Sequence, residues 1–291
     1  MKKTWGAILT VLFIAGLTIG CSAGLEKNSF DITNDITVVS REDGSGTRGA
    51  FIELFGVEER GADGSRRDKT VKSAIIASKT DVMMVNIAND PHAIGYISMG
   101  SMNDTIKALN IDGIIASSNN VKNGAYTVYR PFNIVIKSDP GGLAKDFIDF
   151  ILSAEGQKVA SNAYTAIDDD APAYTGEKPG GKIVVAGSSS VSPLMELLKE
   201  AYEVVNQNAH IEIQTSDSTA GITAVNNGTC DVGMASRGLK PSEMETLTET
   251  SIALDGIAII VNKSNPTENL SIEQVRAIFT GEITKWNGLE N

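Results

Sequence analysis

Short runs of consecutive apolar residues alternate along this chain with stretches whose apolar positions recur every three to four residues. The first pattern predicts buried strands and the second amphipathic helices. From Ile36, ITVVS reads as a strand that passes through a Gly-rich turn into TRGAFIELFG, whose spacing suits a short helix. RGADGSRRDKT follows as a charged surface loop, while VKSAIIAS and DVMMVNIAND leave helix and strand open. AIGYISMG, Ala93 to Gly100, is bounded by turn signals and predicts a strand. TIKALNIDGI and YTVYRPFNIVIKS read as further strands. In GGLAKDFIDFILS, Leu143, Phe147 and Ile151 share one helical face, and Ser153 is placed to cap a helix through AEGQKVASNAY.

The rhythm then stops. IDDDAPAYTGEKPGGK, Ile167 to Lys182, is acidic, contains Pro and Gly and has no apolar period, which marks a linker. Beyond it come strand KIVVAG, helix SPLMELLKEAYEVVNQ, strand HIEIQTS, helix AGITAVNNG and the run DVGMAS. SIALDGIAIIVNKS predicts a buried strand, and SIEQVRAIFTG a helix with a capping box from Ser271 to Gln274 and a stop at Gly281. Strands alternating with helices imply an α/β fold with a largely parallel sheet. The two strand–Ser/Gly–helix units share a design but little sequence, so there is no true repeat.

The start of the chain has a separate logic. Lys2 and Lys3 precede an uncharged apolar run, WGAILTVLFIAGLTIG, and Cys21 follows at once. The run is short for a membrane span and fits an export signal over residues 1–20. LTIGC resembles a bacterial lipoprotein cleavage box, with Thr18 where Leu is commoner, which implies a lipidated Cys21 and a membrane anchor. Residues 21–35 then read as a polar tether. A plain secretory signal is the alternative. The 291 residues carry a formal charge of −11, and removal of both lysines leaves 23 basic residues against 36 acidic, a net of −13. No basic excess exists to displace counterions from nucleic acid. With only two cysteines, a disulfide scaffold is excluded, and Cys230 reads as a buried inert thiol. Cys and His are too few for zinc spacing, no Walker-type loop occurs, and no cofactor is expected.

The candidate chemistry lies at three helix starts of one type: Ser45, Gly46 and Thr47; Ser189, Ser190 and Val191; Ser218 and Thr219. At each, hydroxyls stand where the first helical N–H groups lack backbone partners, and the helix dipole favours a negative ligand. A single such start is usually only an N-cap. Three together, with Arg41 just ahead of one, describe an anion site at strand ends in an open α/β sheet. Arg41 offers a planar fork to a tetrahedral oxyanion, and Asp43 is placed to hold that guanidinium, with a surface ion pair as the plain alternative.

At this point the motifs become specific. SREDGSGTRGAF, GSSSVSPL, DVGMASR, ALDGIAIIVN, FTGEITKW and AIGYISMG are similar to blocks of the phosphate-binding proteins of phosphate ABC importers. They span most of the chain from Ile36 to Ala166 and from Lys182 to Trp286. The resemblance implies a two-lobed, type II-like periplasmic-binding-protein fold that closes on inorganic phosphate, with no covalent chemistry and an ABC permease as partner. Carried over by motif, it places phosphate on Arg41, Ser45, Gly46, Thr47, Ser190, the N–H of Val191, and Ser218. One departure matters: many members carry Ser-Asp after the DVGMA-type block, where the carboxylate accepts the ligand proton, and this chain has Ser236-Arg237. The acceptor is then elsewhere or absent, and Asp255 is the candidate. Such an acceptor separates phosphate from sulfate by about 10⁴-fold.

The block order is reversed. In the resembled family GSSSV comes first, ALDGIAIIVN and FTGEITKW follow, and SREDGSGTR and AIGY come later. Here Ile36–Ala166 precedes Lys182–Glu290, each block once, which implies a circular permutation with residues 167–181 joining the usual ends; a piece of a tandem protein is the rival. Under permutation, residues 36–125 with 255–291 form one lobe and 126–254 the other, and Ile36 lies near Trp286. A phosphate-sensing or adhesive surface protein of the same fold stays open. A serine hydrolase is disfavoured, because His92 and His210 are the only histidines and neither adjoins a Ser block in sequence.

Overall fold

The computed structural model describes residues 30–61, 66–138 and 140–289. The signal segment, Cys21, the first part of the tether, and Glu290 and Asn291 lie outside the described residues. In chain order the elements are β1 (Thr37–Arg41), α1 (Gly46–Leu54), β2 (Glu58–Arg60), β3 (Arg66–Asp68), β4 (Ile75–Ala77), α2 (Thr80–Asn89) and β5 (Ala93–Ser98). Next come β6 (Ile106–Ala108), β7 (Asn110–Ile111), α3 (Ser118–Lys122), β8 (Tyr129–Ile136), α4 (Gly142–Ile151) and α5 (Ala154–Ala160). After the linker follow β9 (Gly181–Ser188), α6 (Ser192–Val205), β10 (Ala209–Ser216), α7 (Ser218–Asn226), β11 (Val232–Ala235) and α8 (Pro241–Met244). The chain closes with β12 (Thr248–Asn262), β13 (Asn269–Leu270) and α9 (Ile272–Thr280).

The main sheet runs β10-β9-β11-β8-β12-β5-β1-β4, with β6 also on β12. Its two halves repeat one plan. β9 lies between parallel β10 and β11, and β1 between parallel β4 and β5. Beyond the third strand of each half runs an antiparallel one, β8 or β12. The 15-residue β12 belongs to both halves, pairing with β8 over its first part and with β5 and β6 over its second. Buried on both faces over most of that second part, it reads as a continuous apolar run and does not alternate.

Apolar side chains gather accordingly. One core draws on residues from Val38 to Val128 and from Ile257 to Trp286. The other half has a cluster on each side of its sheet, with Ile183, Val185 and Ile134 on one and Ala186 and Val135 on the other. Adjacent strand residues point to opposite faces, which is why neighbours divide this way. The ambiguous DVMMVNIAND is helix α2, whose buried Met83, Met84 and Ile87 recur at helical spacing. VKSAIIAS contributes only β4, where Ile75 and Ile76 remain exposed. The Ser271–Gln274 capping box is reciprocal, and Gly281 ends α9 at φ 82°.

Two expectations need correcting. Residues 30–35 are docked and are not a free tether: Phe30 lies against His92 and Trp286 with ring centroids 4.7 and 5.8 Å away, and Asp35 bridges Lys285. Ile36 N donates to Thr284 O at 2.7 Å, so the segments holding Ile36 and Trp286 are neighbours in one core, as expected. The linker, too, is pinned, although residues 167–180 form no regular element and only its end enters β9. Tyr174 packs on Phe150 and Tyr202, both tyrosine hydroxyls donate to buried Asp146, and Glu177 N donates to the same carboxylate at 2.9 Å. A surface groove of about 630 Å³ runs beside it, lined by Asp146, Tyr174 and Pro179 among others, and shares no residue with the hydroxyl cluster described next.

Candidate functional site

The starts of α1, α6 and α7 meet between the two halves of the molecule. The hydroxyls of Thr47 and Ser190, 143 residues apart, lie 2.8 Å from each other. Arg41 reaches across from the end of β1, its Nη2 donating to Ser189 Oγ at 3.0 Å and its Nη1 to Thr80 Oγ1 at 3.2 Å. Thr80 Oγ1 is in turn 3.3 Å from Ser190 Oγ. From the third start, Ser218 Oγ accepts from Ser236 N at 3.1 Å. Gly46 fits between these groups because a Cβ there would come within 2.5 Å of Ser218 Oγ and 2.7 Å of Ser236 Oγ. Arg41, Thr47, Ser190 and Ser218 are each at most 1% exposed. Four distant segments thus deliver guanidinium and hydroxyl groups to one enclosed place.

Local capping explains which hydroxyls are free to face that place. At α7 the cap is Asp217, whose Oδ1 accepts from Ala220 N at 2.9 Å, so Ser218 points inward. At α1 Ser45 itself caps, accepting from Arg48 N at 3.3 Å. The N–H of Val191, expected to face a ligand, instead donates to Ser188 O at 3.0 Å, because the chain tightens into a turn before α6. Val191 contributes a buried side chain to the core of that half.

The guanidiniums are held differently from the expectation. Glu42, not Asp43, takes Arg41, with both oxygens 2.8 Å from Nε and Nη2. Asp43 lies in the turn beyond the strand, where its carboxylate is 97% exposed and pairs with Arg48 at 2.8 Å. Arg48 also supports Arg41 by donating to its carbonyl at 2.7 Å.

A second guanidinium, Arg130, completes the cluster and was missed from the sequence. Its Nη2 donates to Thr47 Oγ1 at 2.8 Å, and its Nη1 lies 3.0 Å from Asp255 Oδ2. Arg130 and Asp255 are facing partners in the β8–β12 register, where the chain passes between the two halves. That ion contact lacks hydrogen-bond geometry, and Arg130 Nε and Nη1 have no hydrogen-bond partner although the residue is 3% exposed. Asp255 Oδ2 is likewise without a hydrogen-bond partner, and unmet polar atoms are costly when buried. A signal existed in YTVYRPFNIVIKS: one charge inside an apolar strand must be paired when buried. Thr80 had no such signal, since it begins a helix whose pattern was ambiguous.

Asp255 is buried, and its Oδ2, 3.0 Å from Arg130 Nη1, has no hydrogen-bond partner. Its Oδ1 accepts from Ser98 Oγ at 2.8 Å and Gly100 N at 3.4 Å, and Arg130 stands on its other side. Burial pushes its carboxyl up to about 6 against the opposing pull of the Arg130 charge. Burial likewise lowers Arg130, with Asp255 pulling it back up. Arg237 turns away to a bidentate pair with Glu243 at 2.8 and 2.9 Å and reaches Thr219 Oγ1 at 3.4 Å. Thr219 links the halves, its N and Oγ1 both donating to Gly44 O, at 3.3 and 3.2 Å.

Such a set of donors can hold a compact oxyanion and offers no activated nucleophile. His92 Nε2 sits at Asn34 and the Asp31 carbonyl, and His210 is on the edge strand β10.

The PBP superfamily domain matches residues 29–155 and 172–290. The chain is 48% identical over 294 residues, 99% of both sequences, to "Phosphate-binding protein PstS 2" of Streptococcus agalactiae. The chain belongs to the phosphate-binding protein family of this superfamily. A crystal structure of a phosphate ABC transporter phosphate-binding protein from Streptococcus pneumoniae superposes with TM-score 0.69 at 43% identity, covering 88% of this chain and 100% of that one. "Phosphate-binding protein PstS" of Bacillus subtilis, also in the family, is 35% identical over 141 residues, 46% of this chain and 42% of its own.

Proposed function

We propose that this chain is the substrate-binding component of a phosphate ABC importer, capturing inorganic phosphate between its lobes. The observation that carries the reading is the meeting of Arg41, Arg130, Thr47, Ser190 and Ser218 at three helix starts, in a protein of the phosphate-binding family. Backbone dipoles and guanidiniums supply the positive field, and hydroxyls fit oxygens as donors or acceptors. With Ser45 at the N-cap of α1 and Gly46 in its first turn, the site holds its ligand by hydrogen bonds and charge, without covalent chemistry. Because its groups are buried, phosphate enters and leaves only when the lobes part, and β8 and β12 are the strands that must flex. We take residues 36–128 with 255–289 as one lobe and 129–254 as the other.

Isothermal titration of phosphate-stripped protein tests the reading. Stoichiometric phosphate binding with lobe closure in small-angle scattering is expected; hydrolysis of a phosphate ester, or no phosphate binding, overturns it.

Two finer points belong to the same proposal. Cys21 carries a lipid that anchors the protein outside the cytoplasm; no helix among the described residues is long and apolar enough to cross a membrane. Labelled palmitate should enter the wild type and not Cys21→Ser. The segment order is circularly permuted relative to the Bacillus subtilis relative, which a single collinear match covering less than half of each chain supports. A chain joined from Trp286 to Ile36 and opened within 167–181 should fold and bind phosphate; an unfolded product refutes the permutation.

A further inference from the structure

We propose that Tyr164 and Ser101 are positioning residues of the anion site, whose hydroxyls converge from the two lobes on the Asp255–Arg130 pair and fix how that guanidinium is presented. The proposal rests on the phosphate-receptor reading and adds two residues that act on the ligand only through Arg130.

Among the described residues, eight buried side-chain nitrogen and oxygen atoms have no hydrogen-bond partner, and five of them lie in this one group: Tyr164 Oη, Ser101 Oγ, Asp255 Oδ2, and Nε and Nη1 of Arg130. The four residues bear on one another. Burial pushes the Tyr164 hydroxyl up, the Asp255 charge adds to that, and Ser101 and Ser98 pull it back down. Tyr164 in turn is among the groups that raise Arg130 against the effect of burial. Phe132 ties them together, with Arg130 Cζ 5.1 Å from its ring centroid and the Tyr164 ring 5.5 Å away between centroids.

The chain aims Tyr164 at this place. Thr165 and Leu254 exchange backbone hydrogen bonds of 3.0 and 2.8 Å, which sets their neighbours Tyr164 and Asp255 opposite each other. The Tyr164 ring lies against Gly100, where a Cβ would come within 2.2 Å of it, and Ser101 follows in the same short 3₁₀ turn. Those contacts account for an aromatic ring and leave its hydroxyl unexplained, since an unpartnered hydroxyl is costly when buried.

The chemistry of the group supplies the explanation. Asp255 Oδ2 only accepts, Arg130 only donates, and a tyrosine or serine hydroxyl does either. Hydroxyls donating toward Oδ2, directly or across one bridging water, share the charge of that carboxylate. Left to itself, Oδ2 draws Arg130 Nη1 into a closed pair. With its charge shared, the guanidinium keeps Nη2 on Thr47 at 2.8 Å, among the hydroxyls of the three helix starts. On the proposed lobe division, Tyr164 and Arg130 belong to one lobe and Ser101 and Asp255 to the other, so the group is complete only while the lobes are closed.

The test is calorimetric titration of the phosphate-stripped full chain with inorganic phosphate, alongside thermal unfolding without phosphate. Tyr164→Phe removes one oxygen and keeps the ring on Phe132 and Gly100. Its phosphate affinity should fall about three- to tenfold, the worth of one ordinary hydrogen bond, with no loss of ligand-free melting temperature. Ser101→Ala should behave alike. In an Asp255→Asn background the Tyr164→Phe factor should shrink toward unity, because the two residues act as one unit. A Tyr164→Phe loss of less than about threefold, a loss matched by lost ligand-free stability, or an undiminished factor in the Asp255→Asn background overturns the proposal and leaves the receptor reading intact. Wild type that fails to bind phosphate overturns both.

Discussion

Gly44→Ala separates closure of the lobes from contact with the ligand. Gly44 lies on the loop of one lobe, and a Cβ there would stand 2.3 Å from Asp217 Oδ1, 2.5 Å from its Cγ and 2.9 Å from Oδ2, all in the other lobe. On the proposed capture by lobe closure, the clash is confined to the closed state. Relief is available in two ways, and each has a cost. The loop and α7 can stay slightly apart, which strains the Thr219–Gly44 hydrogen bonds and overpacks the seam by about 1–3 kcal/mol. Alternatively, Asp217 can swing away and give up its cap on Ala220 N, about 1 kcal/mol. Either way the penalty falls on the closed state alone, so phosphate affinity should drop between about fivefold and 150-fold. The ligand-free, open protein should keep its melting temperature. Calorimetric titration measures the first quantity and thermal unfolding without phosphate the second. An unchanged affinity, or an affinity loss matched by an equal loss of ligand-free stability, would refute the closure argument.

Thr47→Val keeps the shape of the residue but removes the acceptor of Arg130 Nη2 and the partner of Ser190. Phosphate affinity should fall by about ten- to a hundredfold, the worth of one hydrogen bond to a charged group; a titration matching wild type would take Thr47 out of the site. Asp146→Ala strands the hydroxyls of Tyr174 and Tyr202 and should cost about 3 kcal/mol in denaturant unfolding, with phosphate binding intact. Burial raises the Asp146 carboxyl, but the tyrosine hydroxyls and the N–H groups of Glu177 and Lys178 outweigh it and hold it below the ordinary value of 3.8. The stabilisation is therefore complete above that value and lost as pH falls through the folded-state one, so wild type and Asp146→Asn should converge in strong acid. Cys230 is buried, and burial pushes its thiol up to about 11. It should resist thiol reagents in the native protein and react on unfolding; fast native labelling would contradict its placement.

Much of the fold was legible because its signals are local. The capping box at Ser271, the stop at Gly281, the face formed by Leu143, Phe147 and Ile151, and the apolar run of β12 each follow from neighbours in sequence. The hydroxyl-bearing helix starts that meet between the halves were legible for the same reason, since each lies in a strand–turn–helix motif. The misses were of two kinds. Short charged spacings were overread, as with Asp43, because adjacency in sequence does not say which way a turn aims a side chain. Single residues whose partners are remote were passed over, as with Arg130 and Thr80.

By itself, then, the order of amino acids determined the α/β alternation, the three hydroxyl-bearing helix starts, the inert thiol and the acidic linker, all properties set within a few residues. Tertiary structure alone decided that Asp255 serves Arg130, that Glu42 serves Arg41, that the linker is tied down by Asp146, and that Gly44 and Gly46 lie where the lobes press together. Those outcomes depend on contacts between residues roughly thirty to more than 170 positions apart, or on the direction a turn gives a side chain. Such distances and directions exist only once the chain has packed: the Asp146 contacts within one core, and those of Arg130, Gly44 and Gly46 where β8 and β12 bring the two cores side by side.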